Sequence, residues 1–266
     1  MCPLFAMKTD NLPIVLVFFF ILLWGKKIKK LSNFREAMIK SMVPALTIGL
    51  IYAAGFALGT FQAESIVKGI LGGFAIFCLT SMGFAFAKGI PDYEPLPVTA
   101  GLAKLGGRAR RILRFLLDSA VLAVLIIAVS GFFFKVFLAL FHEPDFSAQA
   151  TSLLPAKNKL LAFPLLLAGA GIAEESMFRL FFQSLFWRLF KRPWAAILLS
   201  SLCFALYHLT PADVMYQVYW HYPLTQVSTV FLTGIAFGWF YRKRGFETTV
   251  FGHTLIDYAS VLLTPH

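Results

Sequence analysis

Charge is what this chain has least of. Only 14% of its 266 residues are Asp, Glu, Lys or Arg, and just 13 are acidic, against about 25% charged residues in ordinary soluble domains. With 59% hydrophobic residues and a mean hydropathy of +0.75, that scarcity excludes a water-soluble globular fold. Cysteine is nearly missing as well. Cys2, Cys78 and Cys203 show no CxxC spacing, which excludes a disulfide framework and a zinc knuckle. There is no GxSxG, and Cys203 has no special setting, so nothing points to a serine or cysteine nucleophile. HExxH, the helical zinc-protease signature, is absent too.

What the chain does have is long apolar runs. They approach the roughly 20 residues that cross about 30 Å of hydrocarbon, and they fall near 11–24, 42–62, 67–87, 113–134, from about Leu160, Trp194 to about Leu209, 227–241 and 247–263. The expected fold is all-α, a polytopic transmembrane bundle of about eight membrane helices. It is read as a single integral membrane domain over 1–266, with a motif-bearing core at about 160–264.

The net charge of +11 is spread as short basic clusters between the runs, not as one basic face. That is a membrane-topology signal, and it argues against nucleic acid. If the spans alternate, one side holds all but five of the 24 lysines and arginines, the exceptions being Lys8, Lys68, Lys135, Lys157 and Lys159. The bias places both termini outside. Gly55/Gly59 and Gly69/Gly73 stand at the four-residue spacing that lets membrane helices approach closely. Asp118, near the basic end of the fourth span, has a local partner in Arg114.

Against this background the stretch Gly171 to Arg179 stands out, because it sets two adjacent carboxylates and an arginine in an apolar run. Ionised groups cost several kcal/mol in hydrocarbon, so they face a polar cavity and find partners. On an α-helix Glu175 and Arg179 share a face, four residues apart with the acid first. Glu174 then points about 100° away. Arg179 is expected to hold Glu175 while Glu174 stays free for chemistry. Two further pieces lie on later spans, Phe204-xxx-His208 and His253-xxx-Asp257. A carboxylate and an imidazole sharing a water can turn it into a nucleophile. Hydrolysis by activated water is the chemistry these residue types suit, in a cavity expected to open to the basic, cytoplasmic side.

EExxxR, FxxxH and HxxxD, in that order on successive membrane helices, resemble the CPBP intramembrane proteases, the CAAX-protease and bacteriocin-processing (Abi) family. The resemblance covers about 165–260. It implies an endopeptidase in which Glu174 activates water, His208 and His253 bind and polarise it, and Glu175 with Arg179 supports the site. In CAAX-processing members the last position of the third motif is Asn, where this chain has Asp257. An ionised Asp cannot donate to an oxyanion. Asp257 is left either to orient His253, one helical turn away, or to act as a protonated donor.

The resemblance implies no cofactor. Two histidines with two or three carboxylates also suit zinc or another divalent ion, a less favoured reading. A membrane binding or immunity protein and a proton-coupled transporter are the competing classes. The expected partners are the lipid bilayer and a peptide or membrane protein with a cleavable terminal segment. The expected location, from compact size and family breadth, is the bacterial cytoplasmic membrane.

Overall fold

A computed structural model of the chain describes residues 12–27, 29–60, 63–102, 107–152, 159–211, 213 and 215–263. The expectations for the external N-terminus and for Cys2, Lys8, Lys104 and Lys157 lie outside them. The described residues form helices and turns, with no strand among them, as an all-α bundle requires. The order is α1 (Leu12–Trp24), α2 (Lys29–Lys40), α3 (Met42–Thr60), α4 (Ala63–Ala87), α5 (Pro97–Leu102), α6 (Arg108–Phe141), α7 (Ser147–Ser152) and α8 (Lys159–Leu166). Two π-helical stretches follow, Leu167–Glu174 and Ser176–Gln183. Then come α9 (Ser184–Phe190), α10 (Pro193–Tyr207), α11 (Tyr216–Tyr219), α12 (Pro223–Arg244) and α13 (Phe246–Leu263).

Among the described residues four helices are long and apolar enough to cross a membrane: α3, α4, α6 and the continuous helix Lys159–Phe190. The other four expected spans appear as the shorter or more polar helices α1, α10, α12 and α13. Burial separates the four long helices into two kinds. α4 and the Lys159–Phe190 helix are mostly enclosed, at 72% and 61% of their apolar windows, whereas α3 and α6 are 28% and 22% enclosed. Apolar side chains on α3 and α6 therefore face outward, as lipid-contacting helices must. The chain is thus an integral membrane protein with the Lys159–Phe190 helix inside, packed by α3, α4, α10 and α13.

Sequence chemistry accounts for the breaks. Pro193 and Pro223 open α10 and α12 at the first helical position, where the missing N–H costs nothing. Gly245, at φ 81°, separates α12 from α13. A side chain is disfavoured at that φ, and a Cβ there would also run into Pro97. The loop before α5 is pinned to this corner: Tyr93 donates its hydroxyl proton to the Tyr241 carbonyl at 3.0 Å, and Phe246 N–H donates to the Pro95 carbonyl at 2.8 Å.

Three expectations change. The connection after the first span is helical, with Phe34 and Met38 of α2 buried against α1 and α4. α6 is 34 residues, longer than the expected 113–134. At 1.5 Å per residue that is roughly 51 Å, so it outreaches the hydrocarbon and carries Arg108, Arg110 and Arg111 beyond it. Asp118 does pair with Arg114, at 3.8 Å, but Arg244 at the end of α12 is nearer, at 3.1 Å. The local spacing named one partner, while the bundle supplies the closer one.

The small-residue spacing works as expected. A Cβ at Gly73 would overlap the Gly49 carbonyl, one at Gly69 would press on the Ala53 carbonyl, and one at Gly55 would overlap the Pro164 carbonyl, so α3 rides closely on α4 and α8. Gly171 is packed tighter still, since an added Cβ would overlap Thr254 Oγ1 and lie 3.0 Å from the Val250 carbonyl. This seam sets the distance between the motif helix and α13. Gly171→Ala is expected to destabilise the protein by about 1–3 kcal/mol through overpacking. Thermal unfolding in detergent checks it, with Thr254→Ala in the same chain recovering part of the loss.

Candidate active site

The EExxxR stretch is not wound as an α-helix. Both of its flanks have i→i+5 hydrogen bonding, Leu167–Glu174 before Glu175 and Ser176–Gln183 after it. The 3.6-residue geometry assumed from the sequence is therefore corrected. Long π-helical runs are rare and cluster at functional sites. Here the wide winding begins just after Pro164, which removes one ladder hydrogen bond. It continues through Ala168-Gly169-Ala170-Gly171, where no bulky side chain enforces the tighter turn. Glu175 and Arg179 still meet, at 3.5 Å between Glu175 Oε2 and Arg179 Nε, and both side chains are wholly enclosed.

Glu175 has a second partner. Its Oε1 accepts from His253 Nδ1 at 2.9 Å, joining the motif helix to α13. The expectation that Asp257 might orient His253 is thereby corrected: the imidazole is held by Glu175, and Asp257 lies half-buried within electrostatic range of both histidines. With Nδ1 engaged, the other ring nitrogen of His253 faces the free carboxylate. His253 Nε2 lies 3.9 Å from Glu174 Oε2. That is too long for a direct hydrogen bond, and it is a gap that one water can bridge. Glu174 is 16% exposed where Glu175 is fully enclosed, so the two neighbouring acids divide into an outer and an inner one.

Phe204, the first residue of the FxxxH motif, is the hub of this arrangement. The Arg179 guanidinium sits 4.9 Å from its ring centroid and 5.5 Å from that of Phe237, two cation–π contacts for a buried charge. The rings of His208 and His253 lie 4.8 and 6.0 Å from Phe204, and His253 is 4.5 Å from Phe237. Phe237, on α12, was missed in the sequence because one phenylalanine among 30 carries no signal.

His208 terminates α10. Its Nδ1 lies 2.9 Å from the Phe204 carbonyl, an acceptor, so Nδ1 carries the proton. Its Nε2 faces Asp213, 3.6 Å away. Asp213 was also missed, since an acid in a loop without lysine or arginine reads as a solvated charge. It is instead buried, with its side chain 6% exposed, and it lies within electrostatic range of Glu174. Burial raises the Asp213 carboxyl above the ordinary range, against the opposing pull of His208 and the Met215 amide.

The structure thus pairs Glu174 with His253, Glu175 with Arg179 and His253, and His208 with Asp213, all around Phe204. The length of α10 fixes how far His208 lies from the basic turn. α10 leaves Lys191 and Arg192 and runs 15 residues before His208, about 22 Å at 1.5 Å per residue. His208 and its loop therefore sit at the end of α10 remote from that basic turn. A cavity of about 260 Å³ on the basic side, between Asp118, Trp239, Lys243 and Arg244, includes none of the site residues. Among the described residues no group of three or more His, Cys, Asp or Glu is arranged to hold a metal ion.

Comparison with known proteins gives a family match over the C-terminal part of the chain. Residues 156–259 match the model of a family described as type II CAAX prenyl endopeptidase Rce1-like. Neither the curated proteins nor the solved structures give a match. The matched segment takes in all three motifs, leaving α1 to α7 outside it. Residues 156–259, the part of the chain that gathers the buried acids and imidazoles, are similar to the Rce1-like family of CAAX-type membrane proteases.

Proposed function

We propose that this protein is an intramembrane endopeptidase that cleaves a membrane-associated peptide with water activated by Glu174. The observation that carries the reading is the 3.9 Å gap between Glu174 Oε2 and His253 Nε2, with the far side of the imidazole fixed by Glu175 at 2.9 Å. A water in that gap gives one proton to Glu174, and its oxygen adds to the scissile carbonyl carbon. The carbonyl oxygen becomes an oxyanion, for which a doubly protonated His253, with Nδ1–H engaged by Glu175, offers Nε2–H as donor. When the C–N bond breaks, the leaving nitrogen takes the proton held by Glu174. A base must stand within hydrogen-bond reach of its water, directly or through one water, and the 3.9 Å separation of Glu174 from His253 supports that role.

Glu175 and Arg179 take no part in bond making. They hold His253, whose partner across the site is Glu174. The substrate class follows from the family: a lipid-embedded or lipidated peptide whose terminal segment is removed. The proposed setting is a bacterial cytoplasmic membrane, with the lysine- and arginine-rich connections facing the cytoplasm.

The test is hydrolysis of a farnesylated CAAX peptide by protein in proteoliposomes, alongside mass spectrometry of membrane peptides that change length when the gene is inactivated. Wild-type protein should release a C-terminal fragment, whereas Glu174→Gln and His208→Ala should not. Both variants must remain folded in detergent. His208→Ala is expected to lower turnover by about 10²-fold or more, the range for loss of an acid–base group. Processing retained in both variants overturns the assignment.

A further inference from the structure

Asp213 has no assigned part in the chemistry above, yet its two oxygens are both engaged. Oδ1 accepts the Met215 N–H at 2.6 Å, closing an Asx turn in the loop after α10. Oδ2 faces His208 Nε2 at 3.6 Å. The turn therefore aims a buried carboxylate at the one nitrogen of His208 that its own helix leaves available. Among the described residues no Lys or Arg pairs with Asp213. The charged or titratable groups facing the pair are Glu174, Asp257, Tyr207 and Tyr219. The Tyr219 ring lies 6.1 Å from that of His208.

We infer that Asp213 is a positioning residue for the peptidase reaction, which holds His208 through Nε2 and makes the loop carrying it part of the active site. This rests on the proposed peptidase reading. Nδ1 of His208 is committed to the Phe204 carbonyl, so the ring can rotate only by giving up that bond. The Phe204 carbonyl at Nδ1 and the Asp213 carboxylate opposite Nε2 together fix both edges of the ring. Without Asp213 only the contact with the Phe204 carbonyl is left to hold the ring.

The bland alternative is that Asp213 only shapes the turn, and two substitutions separate the roles. Asp213→Asn keeps an Oδ1 acceptor for Met215 N–H and removes the charge. Asp213→Ala removes both. A positioning role predicts that Asp213→Asn lowers kcat at least about tenfold with KM unchanged, for an effect exerted through an acid–base group. A turn-shaping role predicts that Asp213→Asn is silent and only Asp213→Ala is harmful, a result that would overturn the inference.

A thermal double-mutant cycle with His208→Gln adds a readout that does not depend on turnover. Asp213→Asn should lower the melting temperature of the wild-type chain and leave that of His208→Gln unchanged. Additive shifts would also overturn the inference. If wild-type protein cleaves nothing, the peptidase reading fails and the catalytic role of Asp213 with it. The thermal cycle then still decides whether the two side chains are coupled.

Discussion

Glu174→Gln is expected to reduce peptide hydrolysis by about 10²- to 10⁴-fold, the contribution of a positioned general base. The amide keeps the size of the side chain and can still hold a water, but it cannot accept a proton from it. The variant should therefore fold and bind peptide with a KM close to wild type, and fail at turnover. That split is what separates loss of the base from loss of the fold. Glu175→Gln makes the contrast, because Glu175 contacts Arg179 and His253 instead of the gap. Its loss should appear in stability as well as rate. Single-turnover cleavage in proteoliposomes, with thermal unfolding of the same samples, measures both. Equal rates for wild type and Glu174→Gln would exclude glutamate-activated water.

Arg179→Met is expected to be the most destabilising single change in the bundle, by about 3–5 kcal/mol, the usual result of removing one partner from a buried charge pair. Arg179 is completely enclosed, and among the described residues none of its three side-chain nitrogens has a hydrogen-bond partner. Its stabilisation comes from Glu175 at 3.5 Å and from the faces of Phe204 and Phe237. Without the guanidinium, Glu175 keeps only His253 as a partner, and the enclosed carboxylate is left partly uncompensated. Glu175→Gln added to Arg179→Met should recover part of the loss, because no buried ion then remains. Thermal unfolding in detergent reads the series. A double variant less stable than Arg179→Met alone would mean that the charge pair is not the source of the effect.

Much of this architecture is legible in the sequence, for a physical reason. Hydrocarbon demands long apolar runs and tolerates few charges, so helix positions and the unusual residues Glu174, Glu175, Arg179, His208, His253 and Asp257 stand out without any knowledge of packing. The lesser features are hidden because they depend on neighbours distant along the chain. The bond from His253 to Glu175 spans 78 residues, and no local spacing predicts it. Asp257, one turn from His253, reads in the sequence either as its orienter or as a protonated donor, yet the bundle sets Glu175 against the ring. The winding of the motif helix is equally invisible, because a sequence period is read by assuming 3.6 residues per turn. Asp213 was hidden by its loop, since burial by tertiary contact leaves no trace in local composition. Arg179 shows the reverse case: counted as a topology charge with the basic clusters, it proves to be wholly inside.

The wide ladder on either side of Glu175 has a consequence for how the chain can be altered. An i→i+5 ring encloses one more residue than an i→i+4 ring, so each stretch carries slack that an ordinary helix lacks. Deleting a single residue between 167 and 173 lets the backbone close into the tighter ring, with α8 still seated on α3 and α9 still followed by the turn at Lys191. The ends stay docked while the paired acids swing about the axis, so the shortened protein should assemble and insert normally yet lose its bearing on the imidazoles. The same deletion within α9, where no slack exists, instead drags the following turn and α10 out of register.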